Sequence, residues 1–232
     1  PRAAMPTSAR SKPAAARSSC ICHFRPTAAA FAAVSDFQAL GFKGEGLEAV
    51  RAFEPGEAWE SYRRQIANLK ALGISGLVHP VLALEDFAAA HRSGKPGAFL
   101  TVEGGDFLEG KAERVAQAHA DGVRSITLMH YRTNELGDII TGKPVHGGLT
   151  PAGEEVVRAM NQAGVLIDVA HASEATAFAA VAASARPVMA SHVHIHGGSA
   201  DHPRFISREL AQAVAQRGGG VLGAWPAGIG IT

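Results

Sequence analysis

The 232 residues, 47% hydrophobic and 19% charged, suffice for one globular domain and fall slightly short of the ~250 of a full (β/α)8 barrel. A formal net charge of +1 gives no basis for nucleic-acid or anionic-membrane partners, and no apolar run approaches the roughly 20 residues of a membrane span. The two cysteines, Cys20 and Cys22, lie one residue apart and make neither a disulfide framework nor a structural zinc site.

Residues 1–35 stand apart. They are rich in Ala, Ser, Pro and Arg, and the first acid of the chain is Asp36. The stretch opens on Pro1 and reads as a disordered tail or a non-native segment of a fragment. Its composition is compatible with a transit peptide, but no clean secretory pattern is present. The expected division is therefore 1–35 as this segment and 36–232 as one domain, with a cytoplasmic location favoured.

From residue 57 a regular alternation sets in. Glu57–Leu72 carries Trp59, Ile66, Leu69 and Leu72 at helical spacing and stops at Gly73. A strand "GLVHPVL", a short helical "LEDFAAAHRSG" and a strand "GAFLTVEGG" follow. Glu109–Ala120 reads as a helix, "VRSITLMHY" as a strand, and residues 132–148 as a long connection. The next helix is well marked: Thr150 caps it, Pro151 opens it, Glu154 and Glu155 lie in its first turn, and Gly164 ends it. The strand "VLIDVAH", the helix Ser173–Ser184, the strand "RPVMASH", the helix Ser207–Arg217 and the strand "GGVLGAWP" complete the series. Alternation of this kind means a parallel sheet with crossover helices. Strands apolar almost throughout, such as "VLIDVA", are buried on both faces.

The chemistry collects at strand ends. Glu103 follows "FLTV", His130 follows "ITLM", His171 follows "LIDVA" and His192 follows "VMAS". In a (β/α)8 barrel that rim carries the active site. One carboxylate and three imidazoles from four strands are a donor set suited to zinc or a similar divalent ion. A single histidine at a strand end is ordinarily a hydrogen-bonding residue, so the coincidence across four strands carries the reading. His79 is a weaker candidate for a fifth rim residue. His194 and His196 fall in the connection after a strand ending at His192. A phosphate-binding loop and a nucleophile elbow are absent from the sequence, and "GGDFLEG" lacks the spacing of a dinucleotide fingerprint.

The segments "VEGGDFLEG", "GVRSITLMHYRTNELGD", "GGLTPAGEEVVRAMNQAGVLIDVAHAS" and "VMASH" followed by "HPRFIS" resemble the membrane (renal) dipeptidase family of zinc metallopeptidases, nearer its bacterial amidohydrolase-like branch. The resemblance spans about residues 60–226. It implies a distorted, TIM-barrel-like (β/α)8 metal-dependent hydrolase fold with two zinc ions. The activity implied is hydrolysis of the peptide bond of dipeptides through a zinc-activated water. Glu103 would bridge the metals, and His171 and His192 would complete the second. His130 would hydrogen-bond substrate and steady the tetrahedral intermediate. Arg204 would pair with the substrate carboxylate, a task suited to its guanidinium fork.

Two parts of the family pattern are missing. No H-x-D precedes Glu103, where the family's first strand would carry it, and the chain stops at Thr232 before a last barrel strand with its aspartate. The expected fold is thus an incomplete α/β barrel of about six of eight βα units. Three of five metal ligands remain, enough for one zinc ion. Open sheet edges invite association, so a homodimer is an expectation. The alternatives are an inactive, truncated member and a barrel amidohydrolase acting on a non-peptide amide or lactone.

Overall fold

The structure is a computed structural model and describes residues 28–43, 46–197, 202–217 and 219–225. Cys20 and Cys22 lie outside these. A parallel strand β1 (Ala28–Val34) opens the described chain, followed by a hairpin of β2 (Leu40–Lys43) and β3 (Gly46–Ala49). The alternating part comprises α1 (Glu57–Ile74), β4 (His79–Pro80), α2 (Leu84–Ser93), β5 (Gly97–Glu103), α3 (Arg114–Ala120), β6 (Val123–Thr127), α4 (Pro151–Ala163) and β7 (Leu166–Asp168). It ends with α5 (Glu174–Ala183), β8 (Val188–Ile195), β9 (Phe205–Ile206), α6 (Arg208–Gln216) and β10 (Val221–Ala224).

The sheet runs β1-β5-β6-β7-β8-β10, with every pair along it parallel. Six parallel strands with helices between them form a half-barrel, as the alternation predicts. Among the described residues β1 and β10 end the sheet and do not pair with each other.

β1 corrects the expectation that the first strand is missing and that residues 1–35 hold no barrel element. It pairs with β5 over its whole length, from Ala28 opposite Gly97 to Val34 opposite Glu103. The run "AAAFAAV" has neither alternation nor β-branched enrichment until Val34, so local propensity gave no signal and the pairing partner decided.

The core is continuous. Val102, Ile126, Ile167 and Val188 from the strands, with Leu128 and Met129 just after β6, meet Val115, Val156, Met160, Ala177 and Leu210 from the helices, all buried. Trp59 and Tyr62 of α1 stack with Phe107, the Tyr62 and Phe107 rings 4.4 Å apart. Helix starts follow the sequence closely: Thr150, Ser173 and Ser207 each accept from a first-turn backbone N–H of α4, α5 and α6. The helix expected over Glu109–Ala120 begins only at Arg114, because a 3-10 turn at Asp106–Leu108 and further turns occupy the preceding residues.

Candidate metal centre

β5 delivers Glu103 as its last residue. The chain then turns at Gly104, whose φ of +94° disfavours a side chain and whose added Cβ would stand 2.9 Å from Asp106 Oδ2. His130 comes three residues after β6 and His171 three residues after β7. His171 has a φ of +66°, a left-handed conformation uncommon for a residue with a Cβ and a mark of local strain. His192 lies inside β8. That strand continues to Ile195, so the expectation that it ends at His192 is corrected.

The four side chains converge. Glu103 Oε1 is 3.3 Å from His171 Nε2, 3.4 Å from His192 Nε2 and 3.5 Å from His130 Nε2. His171 Nε2 and His192 Nε2 are 2.9 Å apart. Glu103, His171 and His192 form a group that could hold a metal ion. A tetrahedral ion with bonds of about 2.0–2.1 Å separates its ligand atoms by roughly 3.3 Å. The two carboxylate–imidazole distances match that spacing, and the imidazole pair lies somewhat closer. One hard oxygen and two imidazole nitrogens suit zinc-like ions. The residues therefore fit a metal.

Electrostatics agree with a ligand role. Burial pushes the His171 imidazole down to about 4, reinforced by Arg204 and His130 and opposed by its hydrogen bond with Glu103. Burial likewise lowers His192. Burial alone would raise Glu103, but the His171 hydrogen bond and the neighbouring imidazoles outweigh it and hold the carboxyl at about 2. Neutral imidazole and ionised carboxylate are the forms that bind metal.

A second layer of polar groups holds this one. Asp36, fully buried just after β1, accepts from His130 Nδ1 at 2.7 Å and from Tyr131 N at 2.9 Å. Asp168 and Ser191 lie behind His192. Sequence reasoning missed all three. A carboxylate inside the apolar run "VLIDVA" was a readable signal for Asp168, since a buried charge needs partners. Asp36 had none, because its partner His130 is 94 residues away.

Beside the cluster, a cavity of about 570 Å³ is lined by Tyr131, Ile139, His171, His202, Arg204 and Trp225, with Glu48 among others at its wall. Arg204 is 9% exposed, its guanidinium 5.3 Å from the Trp225 ring, and its Nε has no partner among the described residues. All five residues singled out in the sequence therefore meet around one site. His79 does not: it pairs with Gly97, at the far end of β5 from Glu103. His194 packs on Phe205, with ring centroids 4.9 Å apart, and neither it nor His196 belongs to the metal-competent group.

A half-barrel fold with a group on its strands that could hold a metal ion fits the class of barrel metallohydrolases. The family follows from comparison: the family model for membrane dipeptidase, peptidase family M19, matches residues 57–223, and the chain belongs to that family. It is 34% identical over 133 residues to the dipeptidase aclJ of Aspergillus oryzae, covering 57% of this chain and 31% of that protein. Over 109 residues it is 36% identical to the dipeptidase tcpJ of Claviceps purpurea, covering 47% and 26% respectively. Among solved structures, an amidohydrolase from Pseudomonas aeruginosa superposes with a TM-score of 0.67 at 27% identity, over 72% of this chain and 50% of that one. A metallo peptidase from Rhodobacter sphaeroides, liganded with a phosphinate mimic of the dipeptide L-Ala-D-Ala, superposes with a TM-score of 0.67 at 18% identity, which shows the shared fold. The chain spans about a third of the length of these curated relatives and half that of these structures. No described helix is long and apolar enough to cross a membrane.

Proposed function

We propose that this chain carries the metal-binding centre of a metallodipeptidase, a hydrolase of small dipeptides. The observation that carries the reading is the convergence of Glu103, His171 and His192 within hydrogen-bond reach of one another. These three would hold one zinc ion, and the described residues offer no second such group. When bound, the ion supplies a Lewis acid and an acidified water. The chain's own residues do the rest. Arg204 takes the substrate carboxylate from the cavity wall through its guanidinium. His130, held by Asp36, turns Nε2 toward Glu103 and the cluster, placed to hydrogen-bond the scissile group and the oxyanion it becomes. Trp225 and Tyr131 wall the cavity and limit water.

The test is zinc content and dipeptide hydrolysis by the 232-residue chain. Retention of about one zinc per chain, lost in His171→Ala, together with hydrolysis abolished by Glu103→Gln, supports the reading. Absence of retained metal overturns it. Arg204→Ala should raise KM chiefly for substrates bearing a carboxylate, and equal losses on neutral amides would favour a different amidohydrolase substrate.

A further inference from the structure

His192 meets Glu103 through Nε2, which leaves its other ring nitrogen to be accounted for. Nδ1 lies 2.7 Å from Ser191 Oγ. That same hydroxyl donates to Asp168 Oδ2 at 2.5 Å. Asp168 is buried at the end of β7 and receives three more donors: Ala170 N and Ser191 N on Oδ1, each at 3.0 Å, and Thr127 Oγ1 on Oδ2 at 2.9 Å. An ionised carboxylate only accepts, and a serine hydroxyl has one proton. With that proton committed to Asp168, Ser191 Oγ must accept from His192. The imidazole hydrogen therefore sits on Nδ1 and the lone pair on Nε2.

We propose that Asp168 and Ser191 form a relay that sets the His192 tautomer and aims its Nε2 lone pair at Glu103 and His171. Both are positioning residues: they act through His192 and touch no reacting atom. The relay is built into the sheet, since Thr127, Asp168 and Ser191 come from the adjacent strands β6, β7 and β8. Strand pairing thus fixes the relay, and the relay fixes the ring. Orientation by a hydrogen-bonded partner is how metal-ligating histidines are commonly preset, and loss of such a partner typically weakens metal binding by about 10–100-fold. The affinity arm of this proposal rests on the metal reading above, whereas the tautomer arm does not.

Nitrogen–proton correlation spectra of the His192 ring in the metal-free 232-residue chain read the tautomer directly. The wild-type ring is expected as Nδ1–H. Ser191→Ala should abolish that preference, and Ser191→Thr, which keeps the hydroxyl, should restore it. Asp168→Asn should invert it, because the amide turns a donor toward Ser191 and sends the hydroxyl proton to His192 Nδ1. Zn²⁺ affinity, measured by competition with a chromophoric chelator, should fall about 10–100-fold in Ser191→Ala and recover in Ser191→Thr. A wild-type ring protonated at Nε2 overturns the relay. So does a Ser191→Ala protein, folded by circular dichroism, with unchanged tautomer and unchanged zinc affinity. A wild-type chain that shows Nδ1–H but binds no Zn²⁺ refutes the metal reading and leaves the relay standing.

Discussion

The two flanks of Glu103 are built from the same parts and reach different ends. On the β7–β8 flank, His171 and His192 bring Nε2 to the carboxylate, and Asp168 with Ser191 stands behind the second imidazole. On the β1 flank, the residue level with Glu103 is Val34, which offers no donor atom. The carboxylate there, Asp36, is engaged by His130 and the Tyr131 backbone. A carboxylate near a metal-competent group need not belong to it: what it faces decides. One flank is a converging donor set, and the other is a clamp on a single imidazole.

The largest expected effect breaks the converging flank. Glu103→Gln and His171→Ala should each weaken Zn²⁺ binding by at least about 100-fold, measured by chelator competition, since each removes one of three donors. If either variant binds as tightly as wild type, the two flanks do not differ as described. A stability counterpart contrasts sheet centre with sheet end. Ile126→Ala, fully buried on β6, should cost about 2–5 kcal/mol in urea unfolding. Val221→Ala on β10, where the side chain is 57% exposed, should stay within about 0.5 kcal/mol.

A pH experiment bears on the region behind the β1 flank. Burial pushes the Asp106 carboxyl up to about 6, against the pull of the Arg132 guanidinium 2.5 Å away. Its folded-state value lies above its ordinary one. Its contribution is therefore intact below pH 4 and is lost as the pH rises through about 6. Unfolding midpoints from pH 4 to 7 should show wild type losing ground relative to Asp106→Asn, by at most about 3 kcal/mol. A pH-independent difference would refute the assignment. Asp36→Asn should cost about 1–3 kcal/mol, because its amide cannot accept from both Tyr131 N and His130 Nδ1. It should leave Zn²⁺ affinity near wild type, which is the sharpest separation of the two flanks. Least of all, Thr150→Ala removes the cap of α4 and should cost about 1 kcal/mol.

Much of this was readable from local pattern. Thr150, Pro151 and Gly164 announce α4 because capping and termination are short-range chemistry. Glu103, His130, His171, His192 and Arg204 were all legible as candidate site residues, each following a strand signal or sitting in a family motif, and the structure brings them around one site. What escaped were groups whose meaning lies across the sheet. β1 has little strand propensity until it pairs with β5. Asp36 means nothing until His130 arrives from the far side of three helices. Ser191 looks like a spacer before a ligand until Asp168 takes its proton.

The sequence by itself therefore determined the alternation, the starts of α4, α5 and α6, the candidate donors and the family, because these depend on residues within a few positions of one another. Only the tertiary structure decided that the histidine ladder His192, His194 and His196 sends one ring to the metal-competent group, that Val34 stands level with Glu103, and which partner each nitrogen of His192 meets. The physical reason is that register and hydrogen-bond direction are set between strands distant in sequence, and a donor's role is fixed by the acceptor it meets.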